Sequence, residues 1–99
     1  MQGWYAETFE REMGCTVPEL LRWLPDAGGG REMALRADGA VVALGTGQLR
    51  LRWHALAPRQ IALLRMPRLA VSFVFEGVEE AQRQQFMRYF DLYTQRGGG

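Results

Sequence analysis

Apolar and polar positions alternate with a period of two through the middle of this chain, from Glu32 to Glu76. Leu49, Leu51 and Trp53 point one way while Gln48, Arg50, Arg52 and His54 point the other, as successive residues of a strand must. Leu69, Val71, Phe73 and Phe75 repeat the pattern against Arg68, Ala70, Ser72, Val74 and Glu76. Asp38-Gly39 and Gly45-Thr46-Gly47 are tight-turn signals between short strands, and Ala57-Pro58 and Pro67 punctuate the longer run. The pattern predicts a meander of four antiparallel strands with one apolar face.

Toward both ends the period lengthens. Thr16-Val17-Pro18-Glu19 has the form of a capping box with proline in the first turn. Val17, Leu20, Leu21 and Leu24 follow as an apolar stripe, Pro25 ends this short helix, and Asp26 to Gly30 is a loop. A second helix is expected over residues 78–95. It has Glu79 and Glu80 in the first turn, Glu79 and Arg83 one turn apart, and Gln82, Phe86, Tyr89, Phe90 and Tyr93 as its stripe. Gly97-Gly98-Gly99 stops it. Residues 4–13 admit both periods. Tyr5, Phe9 and Met13 suit a helix, whereas Tyr5, Glu7, Phe9, Arg11 and Met13 alternate as an edge strand does.

The chain of 99 residues is long enough for a single domain, 1–99, and for one core without a metal or disulfide staple. Its formal charge is +1, but the charge is segregated. The first 30 residues carry net −3, residues 31–75 net +5 and residues 76–99 net −1. All 12 basic residues are arginine; lysine and asparagine are absent, and Ile61, Ser72, His54 and Cys15 are each the sole residue of their type. A GC-rich bacterial genome accounts for this bias, so the arginine count by itself is no binding signal.

The absences exclude chemistry. Without lysine no Schiff base forms and neither glycine cluster can act as a P-loop. One cysteine permits no internal disulfide, redox pair or cysteine zinc site. The N-terminal residues do not read as a signal peptide, and the apolar runs fall far short of the roughly 20 residues that span a bilayer. A cytoplasmic protein with no membrane partner, no cofactor and no metal is the expectation.

The stretch Thr8-Phe9-Glu10-Arg11-Glu12-Met13-Gly14-Cys15-Thr16-Val17-Pro18-Glu19-Leu20-Leu21-Arg22-Trp23-Leu24-Pro25-Asp26 resembles the opening of START-like (SRPBCC, helix-grip) proteins. In that family a strand ends in a small-residue turn, a proline-containing capped helix follows, and a long C-terminal helix is gripped by the sheet. The resemblance implies a strand at residues 4–13, counterparts of the gripped helix at 78–95, and an apolar ligand held between sheet and helix. It implies no catalytic residue. This chain is shorter than the family's usual length, which implies a reduced cavity or none.

The fold class expected is α+β: an antiparallel sheet of four to five strands packed on a long C-terminal helix, with a short capped helix near the N-terminus. Two candidate sites follow. Trp53, Phe73, Phe86, Tyr89, Phe90 and Tyr93 would line a ligand pocket between sheet and helix, with tyrosine hydroxyls as its polar groups, or else simply fill the core. Arg50, Arg52 and His54 would form a basic face about 6.6 Å apart along one strand, extended by Arg59, Arg65 and Arg68 or balanced by Glu32, Asp38 and Glu76. The absence of interleaved aromatics there disfavours nucleic acid. No nucleophile–base pair stands out around His54 or Cys15, so no catalytic residue is assigned and an enzyme is not expected. The function expected is non-enzymatic binding of an apolar small molecule. The alternative is a protein interaction or assembly module acting through the basic face or through homodimerisation.

Overall fold

A computed structural model describes residues 4–95. Seven elements follow in order: β1 (Thr8–Met13), α1 (Val17–Ala27), β2 (Met33–Leu35), β3 (Gly39–Leu44), β4 (Gly47–Ile61), β5 (Leu64–Glu76) and α2 (Glu80–Gln95). The fold is α+β. Its single antiparallel sheet has the order β1-β5-β4-β3-β2, so β2 to β5 are a meander and β1 returns to the outer edge of β5.

The period-two reading of the two long strands holds in register. Leu49 pairs with Phe75, Leu51 with Phe73 and Trp53 with Val71, and all six side chains are buried. Directly opposed residues share a face, so this row is the core side of the sheet. β1 joins it with Phe9 opposite Phe73 and Met13 opposite Leu69, which makes residues 8–13 a strand. Helix α2 lies on the same side, where Phe90 meets Phe73 edge to face at 5.6 Å and Phe86 meets Phe75 at 6.2 Å. Leu20, Trp23, Leu24 and Ala27 of α1 complete the core.

Helix α1 begins as the capping box requires. The Glu19 amide donates to Thr16 Oγ1 at 3.2 Å and the Thr16 amide donates to Glu19 Oε1 at 2.9 Å. Pro25, expected to end the helix, lies inside it, and the helix continues to Ala27. A proline in the last turn forfeits only its own N–H bond, and the burial of Leu24 and Ala27 holds the remaining turn in place. The Gly28 amide then closes the helix on the Leu24 carbonyl at 2.8 Å. Helix α2 starts at Glu80, two residues later than expected, and Tyr89 of its expected stripe stands outward with 48% of its surface exposed. The C-terminal glycines, expected to stop it, lie outside the described residues.

The turns are tight. Gly45 adopts φ +57° between β3 and β4. Gly47 passes so close to the Glu76 carbonyl that a Cβ would stand 2.2 Å from it. Pro58 and Pro67 do not end their strands. β4 and β5 run on past β1 and β3 as a two-stranded arm, with a bulge between Leu56 and Arg59 and a turn at Ala62-Leu63. Both prolines sit where no third strand needs their missing N–H. The arm contributes to a longest dimension of 46 Å. Among the described residues no helix is long and apolar enough to cross a membrane.

Candidate functional site

The sheet has two unlike faces, and each holds one of the expected sites. On the helix-covered face Trp53, Phe73, Phe86 and Phe90 are all buried. The three phenylalanine rings are in contact: Phe86 stacks on Phe90 at 6.1 Å, Phe90 meets Phe73 edge to face, and Phe73 also stacks on Phe9 at 4.7 Å. Trp53 Nε1 donates to the Ala37 carbonyl at 2.8 Å, which satisfies its one polar atom. Tyr93 is half-buried and donates to Asp26 Oδ2 at 3.3 Å, tying α2 to the end of α1. Tyr89 does not join the others. The aromatic set is thus four core residues, one helix-to-helix contact and one surface residue.

At the β1 edge of the core lies a polar cluster that residue spacing did not reveal. Tyr5 donates its hydroxyl to Asp91 Oδ2 at 2.6 Å, and the Arg11 guanidinium binds both oxygens of the same carboxylate. Arg11 also lies over the rings of Phe9 and Phe73, at 5.4 and 5.2 Å. Gln84 accepts from the Tyr5 amide at 2.8 Å and donates to its carbonyl at 2.7 Å, and Arg83 Nε donates to that carbonyl at 2.9 Å. Tyr5, ahead of β1, is therefore fastened to α2 by side chains, while the neighbouring Glu7 carbonyl still accepts from the Phe75 amide of β5 at 2.8 Å. Burial, then the bond to Asp91, raises the Tyr5 hydroxyl above its ordinary pKa. The cluster borders a groove of about 440 Å³ lined by Arg11, Cys15, Trp23, Asp91 and Thr94, among others. Its charges are already paired with one another. Cys15 is buried, and loss of solvent pushes its thiol up to about 11, which keeps it protonated and unreactive at neutral pH.

The opposite face carries Arg50, Arg52 and His54, all exposed, with no helix over them. Arg50 is paired with Glu76 at 3.0 Å, and Gln48 donates to the same oxygen at 2.8 Å. Arg52 and His54 form no ion pair or side-chain hydrogen bond among the described residues. They line an open groove of about 420 Å³ with Glu10, Asp38, Ala70 and Ser72. Arg59 and Arg68 belong to this face too, but Glu12 holds them at 3.6 and 2.9 Å. The bond from Arg68 draws the Glu12 carboxyl below its usual range.

This face continues onto the arm. Opposed pairs put Leu56 with Arg68, Arg59 with Met66 and Ile61 with Leu64. The bulge inserts one residue in β4 and so turns Ile61 to the same side as Leu64. Leu63, at the turn, is 97% exposed, and Ile61, Leu64 and Met66 are also exposed. Ala62 in that turn has φ +53°, a conformation more usual for glycine. These apolar residues were not among the expected site residues. The available signal was Ile61-Ala62-Leu63-Leu64 set between Pro58 and Pro67, flanked by Arg59 and Arg65. Among the described residues no group of three or more His, Cys, Asp or Glu side chains is placed to hold a metal.

No protein-family model matches the chain, and no curated protein matches it in sequence.

Proposed function

We propose that this chain is an interaction or assembly module that works through the open face of its sheet and the β4–β5 arm. The observation that carries the reading is the exposure of Ile61, Leu63, Leu64 and Met66 together at the end of one projecting hairpin. Single exposed aliphatic residues need no explanation; a cluster on a projection far from the core marks a contact surface. Edge protection by Pro58 and Pro67 supports the same reading, because the arm is guarded against indiscriminate strand pairing while its side chains remain uncovered.

A START-like carrier of an apolar molecule is the second reading, favoured by the way α2 lies across the sheet. The ring contacts among Phe73, Phe86 and Phe90 weigh against it, since a ligand there would have to displace them.

The test places a photo-crosslinking amino acid at Ile61 and, as control, at the exposed Gln85 of α2, in the producing cell. Adducts to protein from position 61 and not from 85 are expected. Equal or absent adducts, or a stoichiometric small molecule in native mass spectra of freshly purified protein, overturn the reading.

A further inference from the structure

We propose that the outer edge of β2 joins two copies of this chain into one continuous antiparallel sheet, with a two-fold axis at Ala34. β2 ends the sheet on the side away from β1, so it has a strand partner on one side only. The Arg36 amide donates to the Gly39 carbonyl and the Ala43 amide donates to the Glu32 carbonyl, both between β2 and β3. Residues 32, 34 and 36 thus direct their main chain toward β3. The alternation of a strand then directs the N–H and C=O of Met33 and Leu35 outward. No proline or bulge guards them, in contrast to Pro58 and Pro67 on the arm.

This edge is complementary to itself when a second copy runs antiparallel about Ala34. Met33 then meets Leu35 of the partner and Leu35 meets the partner's Met33, and each pair exchanges its outward main-chain hydrogen bonds. Met33 lies opposite Val42 and Leu35 opposite Ala40, both buried, so the two apolar side chains stand on the core side of the sheet. Leu35 is 42% exposed in the single chain, and the partner's Met33 covers it. Ala34 stands at the axis, where opposed Cα atoms approach to ~4.5 Å and a small side chain fits. Such an interface uses the same patch on both copies and closes at two.

Charge agrees on the other face. Glu32 lines an open-face groove with Ala34, Val41 and Gln48, and Arg36 lines the adjoining one with Arg50 and Arg52, so both stand on the side away from the helices. The two-fold axis sets each Glu32 opposite Arg36 of the other copy. Among the described residues neither Glu32 nor Arg36 makes an ion pair or a side-chain hydrogen bond within its own chain, so both charges are free to pair. β1, the other outer edge, offers no such match: Asp91 already holds Arg11, and Glu12 already holds Arg59 and Arg68. The chain turns away at Gly29-Gly30 and bends at Ala37-Asp38, which confines pairing to residues 32–36 and makes the dimer a weak one. The axis is perpendicular to the sheet, so both open faces lie on one side and the two arms project toward opposite ends.

Sedimentation of the full chain over a concentration series reaching about 1 mM tests this directly. Wild type is expected to dimerise. Arg36→Glu sets acid against acid across the axis and is expected to raise the dimer dissociation constant about tenfold or more, with an unchanged circular dichroism spectrum. The exchange Glu32→Arg/Arg36→Glu restores opposite charges and is expected to restore association. Independently, Ala34→Cys on the axis should form an intermolecular disulfide under mild oxidant faster than Thr8→Cys on the exposed β1 edge, because directly opposed strand residues lie within disulfide reach. A chain that stays monomeric throughout the series overturns the proposal. So does a dimer that Arg36→Glu leaves intact, an exchange that fails to restore it, or a Thr8→Cys crosslink as fast as that of Ala34→Cys. A monomer that crosslinks another polypeptide through position 61 sinks the dimer and leaves the interaction reading standing.

Discussion

Tyr5 and Asp91 are 86 positions apart in sequence, yet the Tyr5 hydroxyl donates to Asp91 Oδ2 at 2.6 Å within the buried margin of the core. Arg11 completes the arrangement by binding the same carboxylate, so three elements converge on one side chain: the segment ahead of β1, β1 itself and α2. Removing the carboxylate leaves a largely buried guanidinium and a buried hydroxyl without their acceptor. Asp91→Ala should therefore cost about 2–4 kcal/mol of unfolding free energy, measured by urea titration. A loss under ~1 kcal/mol would mean that solvent replaces the carboxylate at little cost.

Alkaline pH should loosen the same region. The folded state raises the Tyr5 hydroxyl above its ordinary 10.0 and the Cys15 thiol from 9.0 to about 11. Both groups are held in the neutral, protonated form. A group whose folded pKa is raised contributes stability that is complete below its unfolded pKa and is lost as pH climbs through the folded one. Stability should thus fall as pH rises from 9 through about 11, and Cys15→Ala should flatten that slope. A thermal-melt series that shows no decline across this window counts against the buried placement of Cys15.

The same burial makes Cys15 a reporter of opening. Its thiol should react with an aromatic disulfide reagent at neutral pH only as fast as the fold opens, and at full speed in denaturant. Prompt stoichiometric labelling of the native protein is the contrary result.

Core and surface aromatics should separate cleanly. Phe90→Ala removes a ring that meets both Phe73 and Phe86, and should cost about 3–5 kcal/mol. Tyr89→Ala, on the outer side of the same helix, should stay within about 0.5 kcal/mol of wild type. Equal losses at the two positions would contradict the observed orientation of α2.

Two local devices have their own tests. Thr16→Ala removes the acceptor that caps α1 and should cost about 1 kcal/mol. Gly47→Ala should cost more, because its Cβ would stand 2.2 Å from the Glu76 carbonyl oxygen and neither backbone can yield easily. Chemical denaturation of the two variants side by side gives the ranking, and the reverse order would be inconsistent with the close approach of β4 to the end of β5.

Much of this architecture is local and so was readable from residue order. The alternation of Leu49, Leu51 and Trp53 with Arg50, Arg52 and His54 dictates opposite faces, because a strand has no other way to place them. The capping box at Thr16 and Glu19 is likewise a matter of three-residue spacing. Proline is where local rules ran out. Pro25, Pro58 and Pro67 each suggest a break, but proline ends an element only when its N–H is needed there. Need is decided by neighbours that sequence does not display: an absent third strand beside the arm, and buried side chains under the last turn of α1. Residues 4–13 were ambiguous for the same reason, since Tyr5, Phe9 and Met13 fit either period until β5 offered an open edge to pair with. The union of Tyr5, Arg11 and Asp91, and the gathering of Ile61, Leu64 and Met66 on one side of the arm by a single bulge, belong to tertiary structure alone. Both depend on contacts or register between separate elements, which no spacing along one element encodes.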